Sequence, residues 1–506
     1  MSPSSERSMK SEMNSMPFSP LHGRASIALA AALLAACTVG PDYQRPQAPD
    51  TKAYTSEPLA SLQDGSGQQL APGQNPAADW WSGFHSAALD STMQQAVAGN
   101  RSLAAAQATL AQAREAVNAS AGALYPQVGL DAGAGRQKYG AQFSGSQVFP
   151  AFTYYSVGPS VSYLLDYTGG QRRAVEQQRA QADYQAFQLQ AATLSLTGNV
   201  AQQALASASA RAQIAAVQEL LDEDRKNLSL VQTAFAAGSV TRVDVLSAQS
   251  QLANDQTLLP PLRQQLSVAR HALSILAGKA PADWVPPDFE LDQLQLPQSL
   301  PLSLPSELAH RRPDILAAEA QLHAATAAVG VATSNLYPQI NLTASVGQQS
   351  TSLSHLFDAS STVWGLAAGL TAPVFDGGTL RAQRRGAQDA ARAALASYQQ
   401  TVLQSFGQVA DVLTALDHDA EQLTAQKNAL DSAEANLDLT RQSYSVGNVG
   451  VLQVLDAERQ YQQARLGYVR AQAQRYQDTA QLYLALGGSD FVKGPSDVAA
   501  IDSAPR

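Results

Sequence analysis

The sequence predicts a mainly α-helical chain that also carries membrane-type β-hairpins. It is built as a duplicated module suited to a trimeric twelve-strand β-barrel on a long coiled-coil α-helical barrel. Three observations carry this prediction. First, the second half restates the first at an offset of about 209 residues: Gly238-Ser239-Val240, with Val245, Leu246 and Ala248, recurs as Gly447-Asn448-Val449 with Val454, Leu455 and Ala457. Second, each half holds a pair of period-two segments. Third, each half holds a long proline-free stretch whose apolar residues follow a heptad. A repeat of this period is a duplicated domain-sized unit, not a short-period solenoid.

The hairpins follow matching landmarks. Leu124-Tyr125-Pro126-Gln127 and Leu336-Tyr337-Pro338-Gln339 each stop a helical pattern at proline and open an alternating one. In the second copy Ile340, Leu342, Ala344 and Val346 alternate with Asn341, Thr343, Ser345 and Gly347, and Trp364, Leu366, Ala368 and Leu370 alternate on the return. Alternation of this kind marks a β-strand with two unlike faces. The spacing predicts hairpins over 126–166 and 338–375, with strands of about 9–11 residues, the length that crosses an outer membrane when tilted.

After each hairpin a Gly-Gly pair opens a long helix, predicted over 171–236 and 379–446; at 1.5 Å per residue each would run about 100 Å. Val402, Phe406, Val409, Leu413, Leu416, Ala420 and Leu423 alternate by four and three, followed by Leu430, Leu437 and Tyr444 at sevens. Ile214, Val217, Leu221, Leu228, Val231 and Phe235 repeat the pattern in the first copy. Such a seam calls for a packed partner helix. The short turns at Gly238 and Gly447 supply it as antiparallel returning helices over 240–278 and 449–486, the first kinked or restarted at Pro260-Pro261.

The first repeat is thus 89–278 and the second 314–488. A proline-studded connector, 279–313, lies between them. Residues 37–88 read as an extended N-terminal tail and equatorial segment, and 489–506 as a C-terminal tail. Residues 1–36 read as a secretory signal: Arg7, Lys10 and Arg24 precede an apolar run of about ten residues, too short for a membrane-spanning helix. Translation from Met16 is an alternative start. The run ends at Leu34-Ala35-Ala36-Cys37, a bacterial lipobox pattern that predicts cleavage before Cys37, the only cysteine, and acylation on it. Multiple acyl chains hold a protein firmly on a membrane.

Composition narrows the function classes. Charged residues are 15% and the net charge is -9, so no basic stripe points to nucleic acid. The seven histidines are scattered, with no HExxH pair, Walker loop or dinucleotide fingerprint, so the residues suggest no enzyme, cofactor or metal site. No segment has eighteen uninterrupted apolar residues, so any crossing would be made by strands. Lipid tolerates no open sheet edge, and four strands cannot close a barrel. Three chains would, with twelve strands.

These features meet in one family. Cys37-Thr38-Val39-Gly40-Pro41-Asp42-Tyr43, Trp80-Trp81 with Phe84, Arg311-Arg312-Pro313-Asp314-Ile315, the two Gly-x-Val turns and the two Tyr-Pro-Gln strand starts resemble the TolC-type outer-membrane efflux factors, in the lipoprotein branch that serves RND pumps. The resemblance covers essentially all of 37–488. It implies a homotrimeric outer-membrane channel, anchored in lipid at Cys37, with its helical part in the periplasm, docked by an adaptor (membrane fusion) protein and driven by an inner-membrane RND-type pump. Thr38 after Cys37 favours outer-membrane sorting. The resemblance also implies a periplasmic gate at the helix tips, where Asp244, Asp456, Tyr444, Arg242 and Gln453 occupy or replace the family's gate positions. A ring of three equivalent carboxylates there would favour cations and raise its own pKa values. The turn residues Gly238, Ser239, Val240, Gly447, Asn448 and Val449 are the candidates for adaptor contact. Ordinary turn chemistry, solvated helix-end charges and seam packing by Tyr444 are the competing readings of these residues. Trp80-Trp81 is expected to pack near the tunnel's equator. A type I secretion or metal-efflux channel remains an alternative, as does a non-transporting outer-membrane lipoprotein adhesin or structural coiled coil.

Overall fold

The computed structural model describes residues 38–47, 49–56, 67–139 and 150–488. The signal segment, Cys37 itself and the tail 489–506 lie outside the described residues. In chain order the helices are α1 (Ala87–Gly99), α2 (Arg101–Gly122), α3 (Gly170–Ala236), α4 (Arg242–Gln256), α5 (Leu259–Leu276), α6 (Pro305–Leu308), α7 (Pro313–Ser334), α8 (Thr379–Ser445) and α9 (Val451–Ala485). The strands are β1 (Gln69–Pro72), β2 (Gln127–Gln137), β3 (Phe152–Leu165), β4 (Ser299–Leu302), β5 (Gln339–Ser350) and β6 (Thr362–Thr371). The described residues divide into two units: those within 1–42, 120–175 and 327–387 form the first, and those within 43–119, 176–326 and 388–506 the second.

The first unit is a four-stranded antiparallel sheet, ordered β2-β3-β5-β6. Its register aligns the predicted alternation across all strands: Val128 pairs with Val161, Val161 with Ala344, and Ala344 with Leu366. One face is therefore a continuous apolar row, carrying Leu130, Val157, Leu342, Val346, Trp364 and Leu370. The other carries Gly129, Asp131, Ser160, Thr343, Ser345 and Gly365. In a water-soluble sheet the apolar face would be covered. Here Leu130 is 74% exposed, Trp364 80% and Leu366 77%. The β3–β5 ladder skips Gly158 and Pro159, where proline has no N–H to donate. Asp166 and Asp376 start the two long helices alike: Asp166 accepts from the backbone N–H of Gln171 (3.0 Å) and Arg172 (3.0 Å), and Asp376 from those of Gly378 (2.9 Å) and Leu380 (2.8 Å). Each satisfies N–H groups that a helix start leaves unpaired.

The second unit is built on the helical seams. Val217, Leu221 and Val231 of α3, and Val402, Val409, Leu413, Leu416, Ala420 and Leu437 of α8, are buried as the heptads require. The largest core joins Trp80, Phe84, Leu89 and Met93 to Leu205, Leu273, Phe289, Tyr476 and Tyr483. Trp80 stacks on Tyr483 with ring centroids 5.2 Å apart, while Trp81 is only partly buried against this core. Arg312 of the Arg-Arg-Pro-Asp motif is buried and fully engaged: it donates to Asp314 Oδ2 (2.7 Å), Gln408 Oε1 (2.7 Å) and the Ala485 carbonyl (2.7 Å).

The first returning helix, 240–278, restarts at its prolines: it is two elements, α4 and α5, with Thr257 and Leu258 between them and Pro260 in the first turn of α5, where its missing N–H costs nothing. Two features differ from the sequence reading. Both returning helices begin two residues later than expected, at Arg242 and Val451. The tail and the connector are also tied to each other by a β-ladder, because β1 and β4 pair in parallel, Gln69 opposite Ser299. That pairing joins segments far apart in sequence and too short to show a period. α7 has the length and mean hydropathy of a membrane span, yet it buries Ile315, Ala317, Ala320 and Leu322 and carries Asp314, Glu319 and His323, as a core helix does.

Candidate functional site

Two places concentrate the residues singled out by the sequence: the helix tips, and the segment that follows Cys37. The tips are built alike. Gly238 and Gly447 take φ of +76° and +79°, a left-handed conformation that glycine adopts without strain. An added Cβ would meet nothing within 4 Å at either, so conformation and not crowding demands the glycine. Ser239 N–H reaches back to the Ala234 carbonyl (3.0 Å) and Asn448 N–H to that of Ser443 (2.9 Å), closing each long helix. Ser239 and Asn448 are exposed, whereas Val240 is half-buried against Val231, Val245, Ala248, Val451 and Leu455. The two turns thus share one small apolar core, and Val240 belongs to it.

The tip carboxylates are engaged within the chain. Asp244 is the third residue of α4 and forms a capping box with Thr241: its Oδ2 accepts from Thr241 N–H (2.7 Å) and Thr241 Oγ1 (2.8 Å), while Asp244 N–H donates to Thr241 Oγ1 (3.4 Å). The Thr241 backbone N–H, then its hydroxyl, hold the Asp244 carboxyl below the ordinary range. Asp456 accepts from Arg459 Nη2 (2.6 Å) and Gln460 Nε2 (2.7 Å), and Arg459 foremost holds it low as well. Within one chain both shifts thus run opposite to those expected of a carboxylate ring. Arg242 and Gln453 are exposed, and Tyr444 is 41% exposed, its hydroxyl without a hydrogen-bond partner among the described residues.

The capping box also accounts for one difference between the copies. At the 209-residue offset Thr241 becomes Gly450 and Asp244 becomes Gln453, and α9, with Gly450 as its N-cap, has no side-chain cap. Both halves of the box change together because each needs the other. Replacing Thr241 by Ala is expected to weaken the cap by about 1 kcal/mol, seen as roughly fivefold faster amide exchange in the first turn of α4, with Gln453→Ala leaving α9 unchanged. Equal effects at the two tips would remove the box as the cause.

Sequence reading missed a second layer of charge behind the tips. Glu458 of α9 is 2% exposed, accepts from Arg441 Nη2 (2.9 Å) and is hydrogen-bonded to Asn227 Nδ2. Burial raises its pKa, with Asn227 and Arg441 pulling the other way. Asp224 of α3 is 8% exposed beside it. The available signal was position: Asp224 falls three after Leu221 and four before Leu228, on the seam itself.

The segment after Cys37 is docked, residue by residue. In the first unit Val39 N–H donates to the Thr168 carbonyl (2.9 Å). Gly40, at φ +97°, lies so close to Gly330 that an added Cβ would sit 2.5 Å from its Cα, and Asp42 pairs with Arg173. In the second unit Tyr43 donates to Glu319 Oε1 (3.0 Å) and stacks on His323 at 4.2 Å, while Arg45 donates to Glu319 Oε2 (2.7 Å). Burial foremost, and then the Glu319 charge, raise the Tyr43 pKa. The Gly-Pro-Asp-Tyr motif therefore makes specific contacts at three of its four residues.

A sheet whose outer edges are unpaired among the described residues and whose apolar face is exposed, in a chain dominated by long antiparallel helix pairs, defines an outer-membrane channel of the strand-and-helix type. The chain belongs to the outer membrane efflux protein family, whose profile matches residues 92–279 and 304–488. It is 32% identical over 427 residues to the pyoverdine export outer membrane protein OpmQ of Pseudomonas aeruginosa, covering 83% of this chain and 90% of that one. It is 28% identical over 460 residues to the probable outer membrane lipoprotein SilC of Salmonella typhimurium, covering 90% and 96%. Among solved structures the outer-membrane channel OprN superposes with a TM-score of 0.81 at 28% identity, covering 90% of this chain and 99% of that one. The chain is an outer-membrane efflux channel, with the β-barrel and helical barrel of that class.

Proposed function

We propose that three copies of this chain form one passive conduit, which carries small molecules delivered by a periplasmic adaptor protein and an inner-membrane RND-type pump to the outside. The observation that carries this reading is the sheet. β2 and β6 are its outer strands, their far edges unpaired among the described residues, and its apolar face is bare. In lipid such edges must be paired, and pairing β2 of one copy with β6 of the next closes twelve strands without an edge. Cys37 is acylated, and the docked residues 38–43 hold the chain next to that anchor. The adaptor meets the exposed turn residues Gly238, Ser239, Gly447 and Asn448, with Val240 and Val449 behind them. Energy comes from the pump, since the sequence has no nucleotide-binding motif.

The gate reading assigns Asp244 and Asp456 to the closed tips, with Arg242, Tyr444 and Gln453 free to meet neighbouring copies. In planar bilayers the purified protein is expected to conduct weakly, and Asp244→Ala with Asp456→Ala to raise that leak. Thr241→Ala controls for the lost cap, since it breaks the box and keeps the carboxylate. Unchanged conductance in the double variant would remove both acids from the gate. A purified oligomer that never conducts would return the chain to a structural role.

A further inference from the structure

The 209-residue offset relates more than the turns. It carries α3 onto α8 end for end, and α4 and α5 together onto α9, with Arg242 falling on Val451 and Leu276 on Ala485. Within the chain α9 lies antiparallel on α3. Leu484 fills a notch at Gly198, where an added Cβ would lie 2.9 Å from the leucine Cγ. Gln202 Nε2 donates to the Gln477 carbonyl (2.9 Å), and Arg470 Nε to Gln213 Oε1 (2.9 Å). Further along, Arg465 pairs with Glu219 and Asn227 bonds Glu458. The counterparts of these residues are bare. Gly198 is buried; its counterpart Gly407 is exposed, and an added Cβ there would meet nothing within 4 Å. Leu484 is half-buried, whereas its counterpart Ile275 is 63% exposed. Half-buried Leu194 and Gln477 become Leu403 and Val268, both exposed. So α8 carries the notch of α3 without a knob, and α5 carries the knob of α9 without a notch.

We propose that α5 of one copy docks on α8 of the next in the register that α9 takes on α3, with Ile275 seated at Gly407. This docking presupposes the trimer proposed above, and it specifies the face, the register and the side chain that fixes them. A head-to-tail contact closes a ring when its rotation divides the circle, so one helix contact can recur inside each chain and between chains. Glycine permits it at both places, because a knob enters deepest where the facing helix has no Cβ. The polar residues of the bare seam agree. Asn227 and Glu458, both buried, become Asn436 of α8 and Gln249 of α4, both exposed. Glu219 and Arg465 become Asn428 and Gln256, also exposed. Acid and base are replaced together, by amides that can bond each other, so these contacts form between copies without stranding a charge. Gln202 stays half-buried in its seam, so Asp411, its counterpart, keeps contact with water.

In the full lipoprotein, Gly407→Cys with Ile275→Cys is expected to cross-link on mild oxidation into covalent dimers and trimers. The spacing at Gly198 and Leu484 leaves the corresponding Cβ atoms within disulfide reach. Either cysteine alone is expected to give none, which also controls for Cys37, the chain's own cysteine. Gly407→Cys with Val268→Cys, two turns out of register, is likewise expected to give none. Gly407→Trp fills the notch without touching its own chain, and is expected to lose the trimer. Gln404→Trp, whose counterpart Ser195 is exposed, is expected to keep it. The cysteine pair does not depend on the tryptophan variants folding. A wild-type trimer by native mass measurement, combined with no cross-link at Gly407 and Ile275 or with an unchanged trimer in Gly407→Trp, would overturn the docking and leave the trimer standing. A wild-type chain that is never trimeric would overturn both.

Discussion

Leu366→Arg is expected to abolish stable insertion of the barrel, while Ala367→Arg, one residue along, is tolerated. Both lie on β6, and the register sends them to opposite faces. Leu366 pairs with Ala344 in the apolar row, and Ala367 pairs with Thr343 on the polar side. Leu366 is 77% exposed, so no packing within the chain explains its apolar character; lipid does. Arginine on the lipid face costs about 2–4 kcal/mol at the bilayer midplane, and three copies would incur that cost together. A cation on the inner face meets water and alters conductance instead. The amount of heat-resistant oligomer in the outer-membrane fraction checks this. Equal tolerance of the two variants would sink the face assignment.

Cys37→Ser is expected to remove all fatty-acid label and weaken membrane retention before the barrel is assembled. Acyl transfer in such a protein needs a thiol at the first mature residue, and the chain has no second cysteine to substitute. Each buried methylene contributes about 0.8 kcal/mol, so losing the acyl chains removes most of the attachment of an unassembled chain. The docked segment is expected to survive, because Val39, Gly40, Asp42 and Tyr43 make their contacts without Cys37. Metabolic labelling with a fatty-acid probe, alongside fractionation, reads both effects. A variant that still carries label would dispose of the lipobox reading.

The local geometry of the candidate site is legible in part from the residues. The turn glycines stand where the backbone needs positive φ. Asp244 was singled out as a gate residue, yet Thr241 three positions earlier already spelled the capping box in which the structure holds it. Asp224 was passed over, although an acid on a leucine seam is itself a signal. Val240, a turn residue and a candidate for adaptor contact by sequence, is half-buried between the two helix pairs, and only their packing shows that.

By itself the sequence determined the duplicated module, the two hairpins, the long helices and the apolar faces. These follow from periods of two and seven, which a chain expresses locally wherever apolar and polar residues must face different surroundings. The tertiary structure decided what joins distant segments: the β1–β4 pair, Gly40 against Gly330, Tyr43 on His323, and Glu458 of α9 between Arg441 and Asn227. Such contacts have no period. They depend on which side chains two elements bring face to face, and that is settled only when the helices and strands have packed.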